Sequence, residues 1–358
     1  MNLNMLYRGI VFSVLVLVGA TGVGCASDKA VISQANQAHT GLAPAVIEDP
    51  VLATYIQDVG NRIIGAAHDL SRQGYAKSGK EDNSWMFSKD MRFHFVNSKT
   101  LNAFTTGGEH MYIYTGLFQQ CKSEDELAAV MSHEFAHIYA RHVHKGMNRQ
   151  YAILGAAAAA GAAGYAAGQG NDKGMEYAGM GAGAAMLAGQ FVGMSFTRKD
   201  ETQADQEGFD FYSRAGWDPA KFGDFFQTMI DKGYDKGNEM LSDHPSLSNR
   251  VADAKKRAAK LPPEAKEWRQ PPVAEGQKFV DLQRRSAEVG KNMPTDQTLA
   301  GAQELLAALP RSCLTPAIQP DQEKAEQRVL VRKQQAAEAA QSGHGGQQKK
   351  KQQQQPQS

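Results

Sequence analysis

Cysteine is scarce in this chain: three residues in 358, Cys25, Cys121 and Cys313. One intramolecular bridge is the most they can form, so disulfides cannot be the main frame of the fold. Charge of one sign is lacking as well. The 39 Lys and Arg residues balance 38 Asp and Glu, for a formal net charge of +1. That balance carries no footprint of nucleic-acid binding. Long hydrophobic runs are also missing. IVFSVLVLVGA at 10–20 is too short to span a bilayer comfortably. Residues 152–190 are dominated by Gly and Ala, with very little Leu, Ile or Phe, and their apolar run stops at Gln169, Asn171 and Asp172. Close packing of small residues, or a flap, suits that segment better than a membrane span. An enzyme built of several membrane helices is therefore not expected. No internal repeat is visible, and no 34-residue helical-pair period.

What is present begins at the N-terminus. Arg8, the apolar run and the small-residue stretch TGVGCAS resemble a bacterial lipoprotein signal, with Cys25 acylated as the new N-terminus. Gly22 stands where such signals usually have Leu. An ordinary cleaved signal and a retained anchor are the alternatives, and all three place the body outside the cytoplasm. Ala26, rather than aspartate, favours the periplasmic face of the outer membrane. With Cys25 lipidated, Cys121 and Cys313 either form a disulfide or remain buried thiols. The expected division is a signal at 1–24, a tether at 25–45, a catalytic domain at 46–262, a helical region at 263–341 and a disordered Gln/Lys tail at 342–358.

A helix is predicted from Asp49 as N-cap and Pro50 at the first helical position, with Leu52, Tyr55, Ile56, Val59 and Ile63 as its apolar stripe. MRFHFV at 91–96 and HMYIYT at 110–115 read as strands, with Gly107 and Gly108 in a turn before the second. Ser123 and Glu126 form a capping box that starts the next helix. Polar helices follow at 198–216 and from Asp218–Pro219 to about Gly233.

The helix beginning after Ser123 carries the chemistry. His133 and His137 are one turn apart and project from one face, with Glu134 beside them. This is the H-E-x-x-H arrangement, in which two imidazoles grip Zn2+ and the glutamate acts as general base. A catalytic zinc needs a third protein ligand and an open position. ETQAD offers Glu201 as that ligand, with Asp205 one turn on to hold a ligating imidazole by its other N–H. An acidic pair at that spacing is also common on a solvated helix, so the spacing alone leaves both readings open.

Four blocks occur in order: NAFTTGGEHMYIYTGLF, SEDELAAVMSHEFAHIYARH, ETQADQEGFDFYSRAGWDP and DHPSLSNR. Together they resemble the HtpX-like and CAAX prenyl protease family of zinc metallopeptidases, the gluzincins, over about residues 46–260. The likeness is greatest to periplasmic members and lacks an appended TPR array. Thr106 stands where the family usually has Pro. The resemblance implies one Zn2+ per chain on His133, His137 and Glu201, with Glu134 as base and Asp205 in support. It implies that 108–114, with Gly108, Met111, Tyr112 and Ile113, is an edge strand that aligns an extended peptide by β-augmentation. It further implies that His244 reaches the zinc and blocks it, and that Arg250 stabilises the oxyanion. His142 reads as a packing or hydrogen-bonding residue, and His94 and His110 as structural or exposed.

The expected fold is thus a zincin-like α+β domain, mostly helical, with a small sheet beside the motif helix. The expected function is a zinc endopeptidase acting on unfolded or misassembled envelope proteins, held at the membrane by a lipid anchor, with no nucleic-acid partner. A chaperone or assembly scaffold with little proteolysis is the alternative.

Overall fold

The structure is a computed structural model that describes residues 27–74, 83–148, 196–234 and 246–295, together with 299, 302, 303 and 306. Helix α1 (Asp28–Leu42) opens it. This corrects the tether expected at 25–45. The Ser27 side chain accepts from the Ala30 N–H, and Val31, Ala35, Ala38 and Leu42 form a buried stripe. Two of the four stripe residues are alanines, which made the helical period hard to distinguish from small-residue linker composition.

Helix α2 (Pro50–Arg72) forms as expected. The Asp49 carboxylate accepts from the Val51 and Leu52 N–H groups at 3.1 and 3.0 Å, and Pro50 spares one donor that would otherwise need a partner. Leu52, Tyr55, Ile56, Val59 and Ile63 are all buried in the main core. Each such side chain stabilises the fold by roughly 1.5–3 kcal/mol relative to exposure.

Strands β1 (Arg92–Val96), β2 (Ala103–Thr105) and β3 (His110–Tyr114) form one sheet in the order β1-β3-β2. β1 and β3 run parallel, and β2 and β3 antiparallel. Gly107, at φ +75°, makes the turn between β2 and β3 that a side chain would oppose. One face of the sheet sends Phe93, Phe95, Met111 and Ile113 into the main core. The other, with Val96, Tyr112 and Tyr114, joins a smaller core with Val31, Ala38 and Leu42 of α1. The sheet order corrects the expected edge strand: β3 is central and is hydrogen-bonded on both sides.

The motif helix α3 (Glu124–Tyr139) is buried along its whole length. Ser123 caps it by accepting from the Glu126 N–H. The return half of the expected capping box is shifted: Glu126 accepts instead from the Lys122 N–H at 2.8 Å and the Thr228 hydroxyl at 2.9 Å. Three acids in the first turn suit the positive end of the helix dipole. They also anchor later parts of the chain. Glu124 accepts from the Trp217 indole and the Val273 and Ala274 N–H groups, and Asp125 from the Tyr212 hydroxyl.

Helix α4 (Arg198–Arg214) starts with a reciprocal box between Thr197 and Asp200 and packs along α3. The helix expected from Asp218 divides into a 3-10 turn, Pro219–Lys221, and helix α5 (Asp224–Asp231). Asp218 accepts from the Ala220 N–H and closes that tight turn, and Gly223 intervenes. Helices α6 (Leu247–Ala258) and α7 (Gln277–Asn292) follow. The helical region expected from 263 does not stand apart. Ala274, Phe279 and Leu282 lie in the main core, and Arg285 makes a two-pronged pair with Asp49 at 2.8 Å. Among the described residues, no helix is long and apolar enough to cross a membrane.

Candidate metal centre and active site

Helices α3 and α4 approach closely because Gly208 has no side chain. A Cβ there would lie 2.9 Å from the His133 Cα and backbone N. Only this close approach brings Glu201 of α4 to the two histidines of α3. The Nε2 atoms of His133 and His137 are 3.0 Å apart. Glu201 Oε2 lies 3.6 Å from His133 Nε2, and Oε1 lies 3.8 Å from His137 Nε2. All three residues are fully buried. Two nitrogens each about 2.0–2.1 Å from a tetrahedral ion would be roughly 3.3 Å apart, so these separations suit one small cation.

The outer nitrogens decide which lone pairs face inward. His133 Nδ1 is 2.9 Å from Asp205 Oδ1, and a carboxylate only accepts, so Nδ1 carries the proton. Asp205 is held in turn by Arg250, whose Nε donates to Oδ2 at 2.8 Å and whose Nη2 donates to Oδ1. Burial alone would raise the Asp205 carboxyl, but Arg250 and His133 outweigh it and hold its pKa at about 2. Burial pushes the His133 imidazole down, toward the neutral form a metal requires.

His137 has a separate support. Its Nδ1 is 2.9 Å from His142 Nδ1, and His142 Nε2 is 3.2 Å from Gln203 Oε1. The Gln203 amide nitrogen donates to Glu207 Oε1 at 2.8 Å, which fixes the amide and makes its oxygen the acceptor. His142 Nε2 therefore carries a proton, and His142 Nδ1 accepts from the Nδ1–H of His137. Burial holds His142 at about 4 and raises Glu207 to about 7. Arg141, at φ 54°, turns the chain after α3 so that His142 comes back beside His137. The Arg141 guanidinium grips Asp28 of α1 through two hydrogen bonds, at 2.9 and 2.7 Å. Phe196 stacks on the His137 ring at 4.0 Å.

Both imidazoles thus direct unprotonated Nε2 atoms at each other and at a buried carboxylate. Lone pairs 3.0 Å apart repel, and a cation between them turns that repulsion into ligation. Two neutral imidazoles and one carboxylate are a donor set of catalytic zinc sites. The residues present therefore fit the metal.

Glu134 is buried beside His133. Tyr114 of β3 is raised chiefly by burial and further by the Glu134 charge.

Other expected residues fall elsewhere. The Arg250 guanidinium is paired with Asp205 on the Nδ1 side of His133, and its Cζ lies 4.1 Å from the centre of the Phe226 ring. The guanidinium thus supports Asp205 from behind the ligand. Gly108, Met111, Tyr112 and Ile113 are buried. A Cβ on Gly108 would meet Ala35 of α1 at 2.5 Å, Met111 and Ile113 enter the main core, and Tyr112 faces α1. The sheet edge beside α3 is β2. Asn102 O and Thr106 N bond to β3, so by alternation the backbone groups of Ala103 and Thr105 point away from it. Cys121 is a buried thiol that donates to Leu117 O. Cys25, Cys313 and His244 lie outside the described residues, as do the Gly/Ala segment and the tail.

The Gln203 and Glu207 support was not foreseen. Its signal is a second i, i+4 pair on α4, offset by two residues from Glu201 and Asp205.

Comparison with known proteins agrees with the geometry. The chain is 31% identical over 225 residues to a putative beta-barrel assembly-enhancing protease of Vibrio cholerae serotype O1, covering 61% of this chain and 41% of that protein. It is 31% identical over 230 residues to the beta-barrel assembly-enhancing protease of Escherichia coli K12, covering 62% and 42%. It is 28% identical over 217 residues to the mitochondrial metalloendopeptidase OMA1 of Saccharomyces cerevisiae, covering 57% and 55%. The chain therefore spans about two fifths of the length of the assembly-enhancing proteases it matches. Residues 80–258 match peptidase family M48, and that stretch contains both histidines, both carboxylates and the arginine of the metal centre: the chain belongs to peptidase family M48.

Proposed function

We propose that the protein is a zinc-dependent endopeptidase of the bacterial envelope that hydrolyses peptide bonds in unfolded or misassembled proteins. The observation that carries this reading is the buried convergence of His133, His137 and Glu201 next to Glu134. The family and the names of the assembly-enhancing relatives support it. Zinc bound there would polarise the scissile carbonyl. Asp205 and His142 hold the two imidazoles in the tautomer that ligation needs. Glu134 takes a proton from the attacking water and returns it to the leaving amine. The outward backbone groups of Ala103 and Thr105 suit alignment of an extended peptide, a role moved here from 108–114. Both residues are buried, so pairing requires the covering side chains or segment to move.

Lipidation at Cys25, and retention at the outer membrane, belong to the same proposal. So does His244 as a resting ligand, for which His244→Ala should cleave faster. The direct test is digestion of casein by purified protein with metal content measured. Wild type should cleave and Glu134→Gln should not, with zinc and fold retained. Equal cleavage by both would end the reading.

A further inference from the structure

Three of the ten histidines meet outside this site. His39 comes from the last turn of α1, His94 from β1 and His110 from the first position of β3. In the parallel register Arg92 lies opposite His110 and His94 opposite Tyr112. His94, His110 and Tyr112 therefore share the sheet face that α1 covers. All three histidines are half-buried.

Their nitrogens are arranged in two classes. His110 Nε2 is 3.0 Å from Asn36 Oδ1, an amide oxygen that only accepts, so His110 Nε2 carries the proton and Nδ1 is a lone pair. His94 Nε2 lies 3.0 Å from that lone pair. His39 Nδ1 is 3.1 Å from the Tyr112 hydroxyl, which leaves His39 Nε2 for another partner. One nitrogen from each ring lies within 4.8 Å of the other two. In His110 and His39 one nitrogen is tied to a neutral partner, which leaves the other available as a ligand, as in metal-binding histidines. Burial, with repulsion among the three, holds His94 at about 3 and His110 at about 4, and burial lowers His39 too. The rings are therefore neutral, as ligands must be. A cavity of about 430 Å3, lined by His39, His94 and Glu48 among others, gives access.

We propose that His39, His94 and His110 form a second metal site, for one Zn2+ or another divalent transition ion that prefers imidazole, fastening α1 to the sheet. In the structure His39 stacks on His110 with centroids 4.1 Å apart and planes 5° apart. A ligating lone pair lies in its ring plane, so binding turns His39 out of that stack. His39 borders the cavity, which provides the space. His94 changes tautomer, and its Nε2 becomes a ligand.

The test is titration of the metal-free full chain with Zn2+ alone, followed by calorimetry and by thermal unfolding. Wild type should take up two equivalents. Protein with His133→Ala and His137→Ala should keep one. Adding His94→Gln or His110→Gln should remove that one, weakening it on the order of 100-fold or more, since a three-ligand site loses a direct ligand. His39→Ala alters only the helix side of the cluster and leaves the sheet intact. It should abolish the thermal stabilisation by Zn2+ that remains after the active-site substitutions. If the double variant does not fold, the comparison is two equivalents in wild type against one in His39→Ala. The proposal is overturned if wild type takes up one equivalent, or if the second is indifferent to all three substitutions, as binding to a tail or surface histidine would be.

Discussion

Two groups of three metal-competent side chains occur among the described residues, and they are supported differently. In the first, His133 is held by an ion pair, Asp205 with Arg250, and His137 by His142, Gln203 and Glu207. Its third donor is a carboxylate, and everything is buried. In the second, the outer partners are an amide and a phenol, all three donors are imidazoles, and the rings are half-buried. A carboxylate and a charged support favour a cation even before it arrives. Neutral histidines supported by neutral groups wait for one at little electrostatic cost. The comparison suggests a dedicated chemical centre beside a stabilising fastener, and each variant below separates the two.

The largest expected difference is in catalysis. Glu134→Gln should lower the rate of casein cleavage by about 10^2–10^4-fold, the usual range for a lost general base. His94→Gln should leave that rate within about twofold, because the second cluster touches no reacting atom. A matched loss in both would show that the clusters are one functional unit.

Next is the ion pair. Arg250→Ala strands the buried Asp205 carboxylate, at a cost of about 3–5 kcal/mol in stability measured by urea unfolding. Zinc at the active site should weaken by about 10–100-fold as His133 loses its fixed tautomer. His142→Ala should weaken it by a similar factor through His137, with a smaller stability loss. If Arg250→Ala changes neither stability nor zinc affinity, the support is dispensable.

Gly208→Ala should cost about 1–3 kcal/mol, because the new Cβ meets backbone that cannot swing aside. It should lower zinc occupancy at the first site by separating α3 from α4, and leave Zn2+ binding at the second site unchanged.

The smallest effect is on pH dependence. His94 and His110 are lowered to about 3 and 4 from 6.5, first by burial. Between those values and 6.5 the unfolded chain binds more protons than the folded one. Their contribution is complete above pH 6.5 and declines as the pH falls toward 4. Unfolding midpoints of the metal-free protein at pH 7.5 and 5 should therefore differ less in His94→Gln than in wild type. An unchanged difference would mean that these histidines do not titrate as a buried group.

Much of the first centre was legible in the residues. The spacing of His133 and His137 places both on one helical face, and the four ordered blocks pointed to Glu201 and Asp205. The cap at Asp49 and the stripe from Leu52 to Ile63 were equally readable, because each is a local pattern within one turn or one helix. Where reading failed, the determinant was not local. Helix α1 reads as a tether because alanine is both a linker residue and a buried one, and only the sheet it covers decides which. The edge position of 108–114 rests on the resemblance alone, since alternation marks a strand without saying how many neighbours it has.

The sequence by itself determined the motif helix and placed His133 and His137 on one face, since residue type and spacing are converted directly into position by helix geometry, while Glu201 came only through the resemblance of the four ordered blocks. The tertiary structure alone decided that β3 is central, that Arg250 pairs with Asp205, and that His39, His94 and His110 meet. Those residues lie 16 to 71 positions apart in the chain. Their encounter follows from strand register and from where α1 settles on the sheet, which are set by the sum of packing across the whole core rather than by any short stretch of residues.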